Sequence, residues 1–164
     1  MRYTPAKIFC LLLASACIPN VFADQNAVQA ELDAFWSEVA RTVREGDFDA
    51  YRRTYHPDAV LVSGPNGASE PITDSFVRWE SGFAETREQG MKVDLDFRFV
   101  ARLNSPTTAH ETGLFRYAAT DRDGNKEITF FHFQALLIKR KNWKTMMEYQ
   151  VGLATEAEWN AAGE

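Results

Sequence analysis

From Met91 to Val151 the sequence is written in period two, and that pattern admits little other than a sheet. Val93, Leu95, Phe97 and Phe99 alternate with Asp94, Asp96 and Arg98, so the first strand has one apolar and one wet side. A second long strand runs from Thr107 to Thr120 and a third from Glu127 to Lys139, with the hairpin signal Asp123-Gly124 between them. Arg140-Lys141-Asn142 is a tight connection into a fourth, Trp143 to Val151. Strands joined this closely are antiparallel.

Ahead of the strands the spacing is helical. Val28, Leu32, Phe35, Trp36, Val39 and Val43 mark an amphipathic helix ending at Gly46. Asp47 can cap a second helix, Phe48 to about Tyr55, which Pro57 stops. Asp58 to Val62 reads as a short strand and Gly64 to Pro71 as a loop. A third helix starts at a Thr73 or Asp74 cap, repeats Phe76, Trp79 and Phe83 on one face, and ends near Gly90. Helices first and antiparallel strands after predict an α+β fold, with three N-terminal helices packed on one side of a curved sheet.

Residues 1–23 read as a secretory signal peptide, not as part of the domain. Arg2 and Lys7 supply the basic start, Ile8 to Ala16 an apolar run too short to span a bilayer, and Val21-Phe22-Ala23 the approach to cleavage before Asp24. Leu13-Ala14-Ser15-Ala16-Cys17 loosely resembles a lipoprotein signal, but Ala14 stands where a larger aliphatic is preferred. The expected location is therefore the periplasm or the exterior, with lipid anchoring through Cys17 the lesser alternative. Cleavage leaves 141 residues, enough for one core, divided into a domain over 24–154 and a weakly helical or frayed tail over 155–164. It removes Cys10 and Cys17, so no disulfide or thiol chemistry is left. It also takes two basic residues and no acidic one from a chain of 18 basic and 23 acidic residues, which leaves a net charge of −7. An acidic surface disfavours phosphates, so nucleic acid and anionic membranes drop out as partners, and no transmembrane segment is expected.

Three short stretches carry a resemblance: Glu45-Gly46-Asp47-Phe48-Asp49-Ala50, Tyr55-His56-Pro57-Asp58-Ala59-Val60, and Leu137-Ile138-Lys139-Arg140-Lys141-Asn142-Trp143-Lys144. With the element order, they resemble the ketosteroid-isomerase-like superfamily, also called SnoaL-like or nuclear-transport-factor-2-like, over about residues 28–151. The resemblance implies a cone-shaped fold. It implies little about activity, because this scaffold carries isomerases, cyclases, dehydratases, binding proteins and assembly domains. It would put the steroid-isomerase base at Ser63 and the oxyanion tyrosine at Val39. The acidic partner would fall on Ile128 to Ile138, which contains no Asp or Glu. With all three roles vacant, that mechanism is not expected.

The strand Phe130 to Ile138, FFHFQALLI, sets His132 and Gln134 on one side of an apolar run. If Arg122 faces Asn125 across the hairpin, Tyr117 faces Phe130, Phe115 faces His132, Gly113 faces Gln134 and Glu111 faces Leu136. A three-residue loop Arg140 to Asn142 then pairs Gln134 with Glu148 and His132 with Gln150, whereas a two-residue loop brings up Met147 and Tyr149. The first choice gathers Glu111, His132, Gln134, Glu148 and Gln150 on one face with Tyr117, and Trp36, Tyr51, Tyr55 and Trp79 can close the other walls. Such a pocket suits a small hydrophobic or aromatic molecule. His132 with Glu111 or Glu148 is the candidate acid–base pair for a cofactor-free isomerase, dehydratase or hydrolase.

The plainer alternatives are a buried polar network, a pocket filled by its own side chains in an interaction module, or an outward, dimer-forming face; on either reading a homodimer through the sheet is expected. His56 is expected to cap the end of the second helix and His110 to lie on the surface. Three histidines without HxH or HExxH spacing give no metal site, and a Glu111/His132/Glu148 set is the nearest approach to one. No cofactor is expected.

Overall fold

The computed structural model describes residues 21–162, so the expected leader, including Cys17, lies almost wholly outside the described residues. Three helices and a hairpin precede four long strands: α1 (Val21–Glu45), α2 (Phe48–Arg53), β1 (Tyr55–Ser63), β2 (Ala68–Pro71), α3 (Ile72–Gln89), β3 (Lys92–Asn104), β4 (Thr108–Thr120), β5 (Lys126–Lys139) and β6 (Trp143–Ala154). A short α4 (Glu156–Ala161) closes the chain. The six strands form one sheet in the order β2-β1-β6-β5-β4-β3, antiparallel throughout except where β1 runs parallel to β6.

The α+β expectation holds, and local chemistry explains where the boundaries moved. The Asp47 carboxylate caps α2 by accepting from the Ala50 N–H at 3.0 Å. That helix stops at Arg53, short of Tyr55, because Thr54 and Tyr55 are already committed to β6: Thr145 N–H donates to Thr54 O, and Tyr55 pairs with Thr145. His56 consequently sits in a strand, where its Nδ1 accepts from the Asp58 N–H, and does not cap a helix. The Gly64–Pro71 segment contains β2, paired back onto β1 from Ser63↔Ala68 to Val60↔Pro71, and leads straight into α3. The tail is regular as far as Ala161. β6 continues past Gly152 to Ala154, and a Thr155/Glu158 capping box starts α4, whose Trp159 is buried under the Arg98 guanidinium, 4.4 Å from the ring centre.

The β4–β5 turn decides which side chains face inward. A two-residue Asp123-Gly124 turn needs positive φ at both residues. Only Gly124 has it (φ 85°), and no described non-glycine residue does. The turn is a three-residue loop, Arg122 to Gly124, flanked by Asp121 and Asn125, with Gly124 N–H donating to Asp121 O and Asp121 N–H to Asn125 O. The Asp121 carboxylate holds it by accepting from the N–H groups of Asp123 (2.9 Å) and Asn125 (2.8 Å). Register therefore differs by one residue from the expectation: Gly113 pairs with Phe133, Leu114 with His132 and Thr112 with Gln134. A one-residue slip exchanges the faces of a strand.

Bulges between Phe99 and Ala101 on β3, and at two points between β5 and β6, bend the sheet around the helices. The concave side receives Leu32, Phe35, Trp36 and Val39 of α1, Tyr51 of α2 and Phe76 and Phe83 of α3, against Leu95, Phe133, Ala135 and Leu137. No helix among the described residues is long and apolar enough to cross a membrane.

Candidate functional site

Between the three helices and the concave face lies a cavity of about 520 Å³. Aromatic side chains make most of its wall. Trp36 of α1 meets Phe97 and Phe133 with ring centres 4.6 and 5.6 Å apart, and Phe115 stacks on Phe131 at 5.1 Å. Tyr51 packs against Tyr55 at 5.5 Å and Trp79 at 6.1 Å. Ser81, Glu85, Thr86 and Arg78 of α3 join Tyr117 and Thr129 among the polar lining, and Thr145, Glu148 and Gln150 of β6 enter from the sheet.

Glu148 and Gln150 join Tyr51 and Tyr55 in a hydrogen-bonded string across the cavity. Tyr55 OH donates to Glu148 Oε2, so the Tyr51 hydroxyl, 3.1 Å from Tyr55 OH, is the donor in that pair. Gln150 Nε2 donates to Glu148 Oε1 at 2.8 Å. The sequence achieves this with two spacings. Tyr51 and Tyr55 lie four apart across the α2–β1 junction, and Glu148 and Gln150 alternate onto the same side of β6, opposite Leu61 and Ser63 of β1. Burial pushes the Glu148 carboxyl above the usual carboxylate range, against the hydrogen bonds from Tyr55 and Gln150 that pull it down. Burial and the neighbouring Glu148 push both tyrosine hydroxyls well up, so they are neutral donors at any physiological pH. The site thus offers a carboxyl poised to exchange a proton, two fixed phenols and an amide, inside an apolar enclosure.

Of the residues expected from sequence, Trp36, Tyr51, Tyr55, Trp79, Tyr117, Glu148 and Gln150 line this cavity. His132 and Gln134 do not. The three-residue turn places them on the outer face, where His132 Nε2 lies 3.3 Å from Glu158 Oε1 of α4 and Gln134 sits between Thr112 and Tyr149. The expected pairs of His132 with Glu111 or Glu148 are not formed. Gln134 pairs with Tyr149 and not Glu148, because Met146 is an extra residue in the β6 ladder; the three-residue loop itself, with Lys139↔Trp143, is as expected. His110 lies on the outer face opposite Leu103 and Leu136, as read.

Glu111 does face inward, but behind the wall. It is fully buried, accepting from Trp36 Nε1 at 2.5 Å and Arg102 Nε at 2.5 Å, and Arg102 continues to Asp33 Oδ1 at 2.5 Å. It holds Trp36, one of the cavity's two wall tryptophans, and is spent in doing so. Among the described residues no group of three or more His, Cys, Asp or Glu side chains is set to hold a metal.

Phe131, Phe133, Phe97, Thr129 and Thr145 also line the cavity and are not among the residues expected there from sequence. A signal was present in the strand itself: Phe131, Phe133, Ala135 and Leu137 are all apolar, whereas the alternate positions hold both polar residues. The uniformly apolar parity is the buried one.

No family profile matches the chain, and no curated protein matches it. Solved structures do. A conserved protein from Planctomyces limnophilus superposes with TM-score 0.63 at 12% identity, over 76% of this chain and 94% of that one. A nuclear transport factor 2-like superfamily protein from Salmonella enterica gives 0.59 at 16%, over 80% and 95%. A ketosteroid isomerase-like protein from Erwinia carotovora gives 0.54 at 18%, over 73% and 92%. Three helices on a curved six-stranded sheet, matched along nearly the full length of these structures, give the chain the cone fold of the nuclear transport factor 2-like, ketosteroid-isomerase-like superfamily.

Proposed function

We propose that this chain is an exported protein that binds a small, largely hydrophobic molecule carrying one or two polar groups. One observation carries the reading: an aromatic cavity of about 520 Å³ whose polar groups converge as the Tyr51–Tyr55–Glu148–Gln150 string. That volume lies within the range of small-ligand sites. A thermal-shift screen of lipids, steroids and aromatic compounds tests it. Binding to the native state raises the midpoint with ligand concentration. A protein whose midpoint no compound moves would instead be an interaction module with a self-filled pocket.

Export belongs to the same proposal and rests on the basic start, short apolar run and Val21-Phe22-Ala23. Intact mass of the secreted protein checks it: a start at Asp24 supports a free periplasmic or secreted form, and an acylated start at Cys17 an anchored one. Pairing of two copies is proposed through the outer sheet face, where Leu103 (67% exposed) and Leu136 (40%) share a row with His110, Met147 and Val60.

The buried carboxyl of Glu148 favours one second reading, a cofactor-free acid–base enzyme. The working groups would be Glu148 as general base or acid and the Tyr51 and Tyr55 hydroxyls as donors to developing charge, in place of a His132 pair. A pH–rate profile on any substrate found would test it: turnover should follow the titration of a single carboxyl and be abolished in Glu148→Gln.

A further inference from the structure

The charges around the cavity are unequal, and this sets what kind of polar group it accepts. Three ionisable side chains other than phenols line it: Glu148 deep inside, and Glu85 and Arg78 on α3. The one cation is already engaged. Arg78 donates through Nη1 and Nη2 to both oxygens of Glu70, and also to Ser75 Oγ at 3.2 Å and Asp74 O at 3.3 Å. Neither acid is answered in this way. Glu148 is held by two neutral donors, Tyr55 and Gln150, and a carboxylate has about four acceptor positions. The phenols add no positive charge, and their protons already point along the string toward Glu148, which leaves the Tyr51 oxygen as an acceptor.

Around these acceptors the wall is π-electron-rich. Tyr51, Tyr55 and Trp79 pack ring against ring on the helix side, and Phe131 and Phe133 face them from the sheet. Aromatic faces attract a cation by their quadrupole, most strongly where water is excluded. An enclosed carboxylate does the same. Both repel an anion, and a neutral polar head gains at most a hydrogen bond from the carboxylate, with no net charge to attract.

Resting on the small-molecule reading above, we infer that the cavity selects a hydrophobic organic cation, a protonated or quaternary amine on an aromatic or aliphatic body, with its nitrogen against Glu148 and its body among the rings. Glu85 and the acidic surface add long-range attraction for such a ligand and oppose carboxylates. The burial that holds the Glu148 carboxyl up agrees with a site whose natural counter-charge arrives with the ligand.

Three probes with one indole body separate the possibilities: tryptamine, tryptophol and indoleacetate, titrated calorimetrically into the mature protein near neutral pH. The expected order is tryptamine tightest by at least about tenfold over tryptophol, with indoleacetate weakest. Glu148→Gln, which keeps the shape and an acceptor for Tyr55, should collapse the amine's advantage to within about threefold and leave tryptophol nearly unchanged. Tryptophol or indoleacetate binding as tightly as tryptamine would overturn the cation assignment and leave the pocket reading standing. Binding by none of the three would count against both. The ranking on the unmodified protein decides the matter even if a variant fails to fold, and Glu85→Gln, on the half-buried α3 wall, should lower tryptamine affinity only about two- to threefold, with its salt dependence.

Discussion

Glu148 and Glu111 show how one residue type takes two roles from its surroundings. Both point to the concave side, from β6 and β4. Glu111 is met by the Arg102 guanidinium and the Trp36 indole, whereas Glu148 is met only by neutral donors. Removing Glu111 would leave a largely buried guanidinium with only the exposed Asp33 as partner, so Glu111→Ala should cost about 3 kcal/mol in urea unfolding and loosen Trp36. Glu148 gives the opposite pH signature from a salt-bridged acid. Its folded pKa lies above the ordinary 4.5, so in that window the native state holds more protons than the unfolded chain, and stability falls as pH rises. Its contribution is full below the unfolded value and is lost as pH climbs through the raised one. Glu148→Gln should therefore gain on the parent protein between acid and neutral pH, and paired denaturation curves across that range check the sign. A constant difference would mean that Glu148 is not desolvated. Neither role was legible in the sequence, where two glutamates on alternating strands look alike. What separates them is Arg102, brought opposite Glu111 by the β3–β4 register after the bulge at Val100.

At the scale of elements, one turn governs the site. The sequence shows Asp123-Gly124 as a hairpin signal, and it is one, but the residue that chooses among turn types is Asp121, whose carboxylate gathers the loop's N–H groups. A two-residue turn would put His132 and Gln134 on the concave face, and the three-residue turn puts them on the outer one, with every strand in the same place. Strand existence follows from period-two hydrophobicity; facing depends on a single-residue count that the pattern alone does not supply. The four long strands and α1 were legible for that reason. The bulges were not, since an extra residue leaves no strong mark in composition. Gly113 is a test of the sheet's bend: a Cβ there would lie 2.1 Å from the Arg98 backbone oxygen, and backbone is in the way with no flexible chain to yield. Gly113→Ala should lower stability by about 2–3 kcal/mol by chemical denaturation. An unchanged midpoint would mean that β3 does not press on β4 at the bulge.

For the whole molecule, the two faces of the sheet divide the work. The concave face supplies the cavity. The outer face has a row from Leu103 through Leu136 to Val60, and beside it Thr112, Gln134, Tyr149 and Val62. If two copies meet there, Leu103→Glu with Leu136→Glu should convert a dimer to a monomer in sedimentation while leaving ligand-induced thermal shifts intact. A dimer surviving both charges would place the contact elsewhere. The α4 helix covers a separate part of that face, with Trp159 against Arg98 and Phe130. Of the two states expected for the tail, weak helix or frayed end, the helix forms over Glu156–Ala161, because a capping box and one buried Trp outweigh a short polar composition.

The central claim is that function resides inside the cone, at Glu148 and its tyrosines, and not at the His132–Gln134 pair that first draws the eye. The measurement that bears on it most directly is calorimetric affinity for the compound with the largest thermal shift, compared among the parent, Glu148→Gln, Tyr55→Phe and His132→Ala. The account predicts a change of about tenfold or more for Glu148→Gln or Tyr55→Phe and less than about twofold for His132→Ala. Affinity lost with His132 and kept without Glu148 would contradict it.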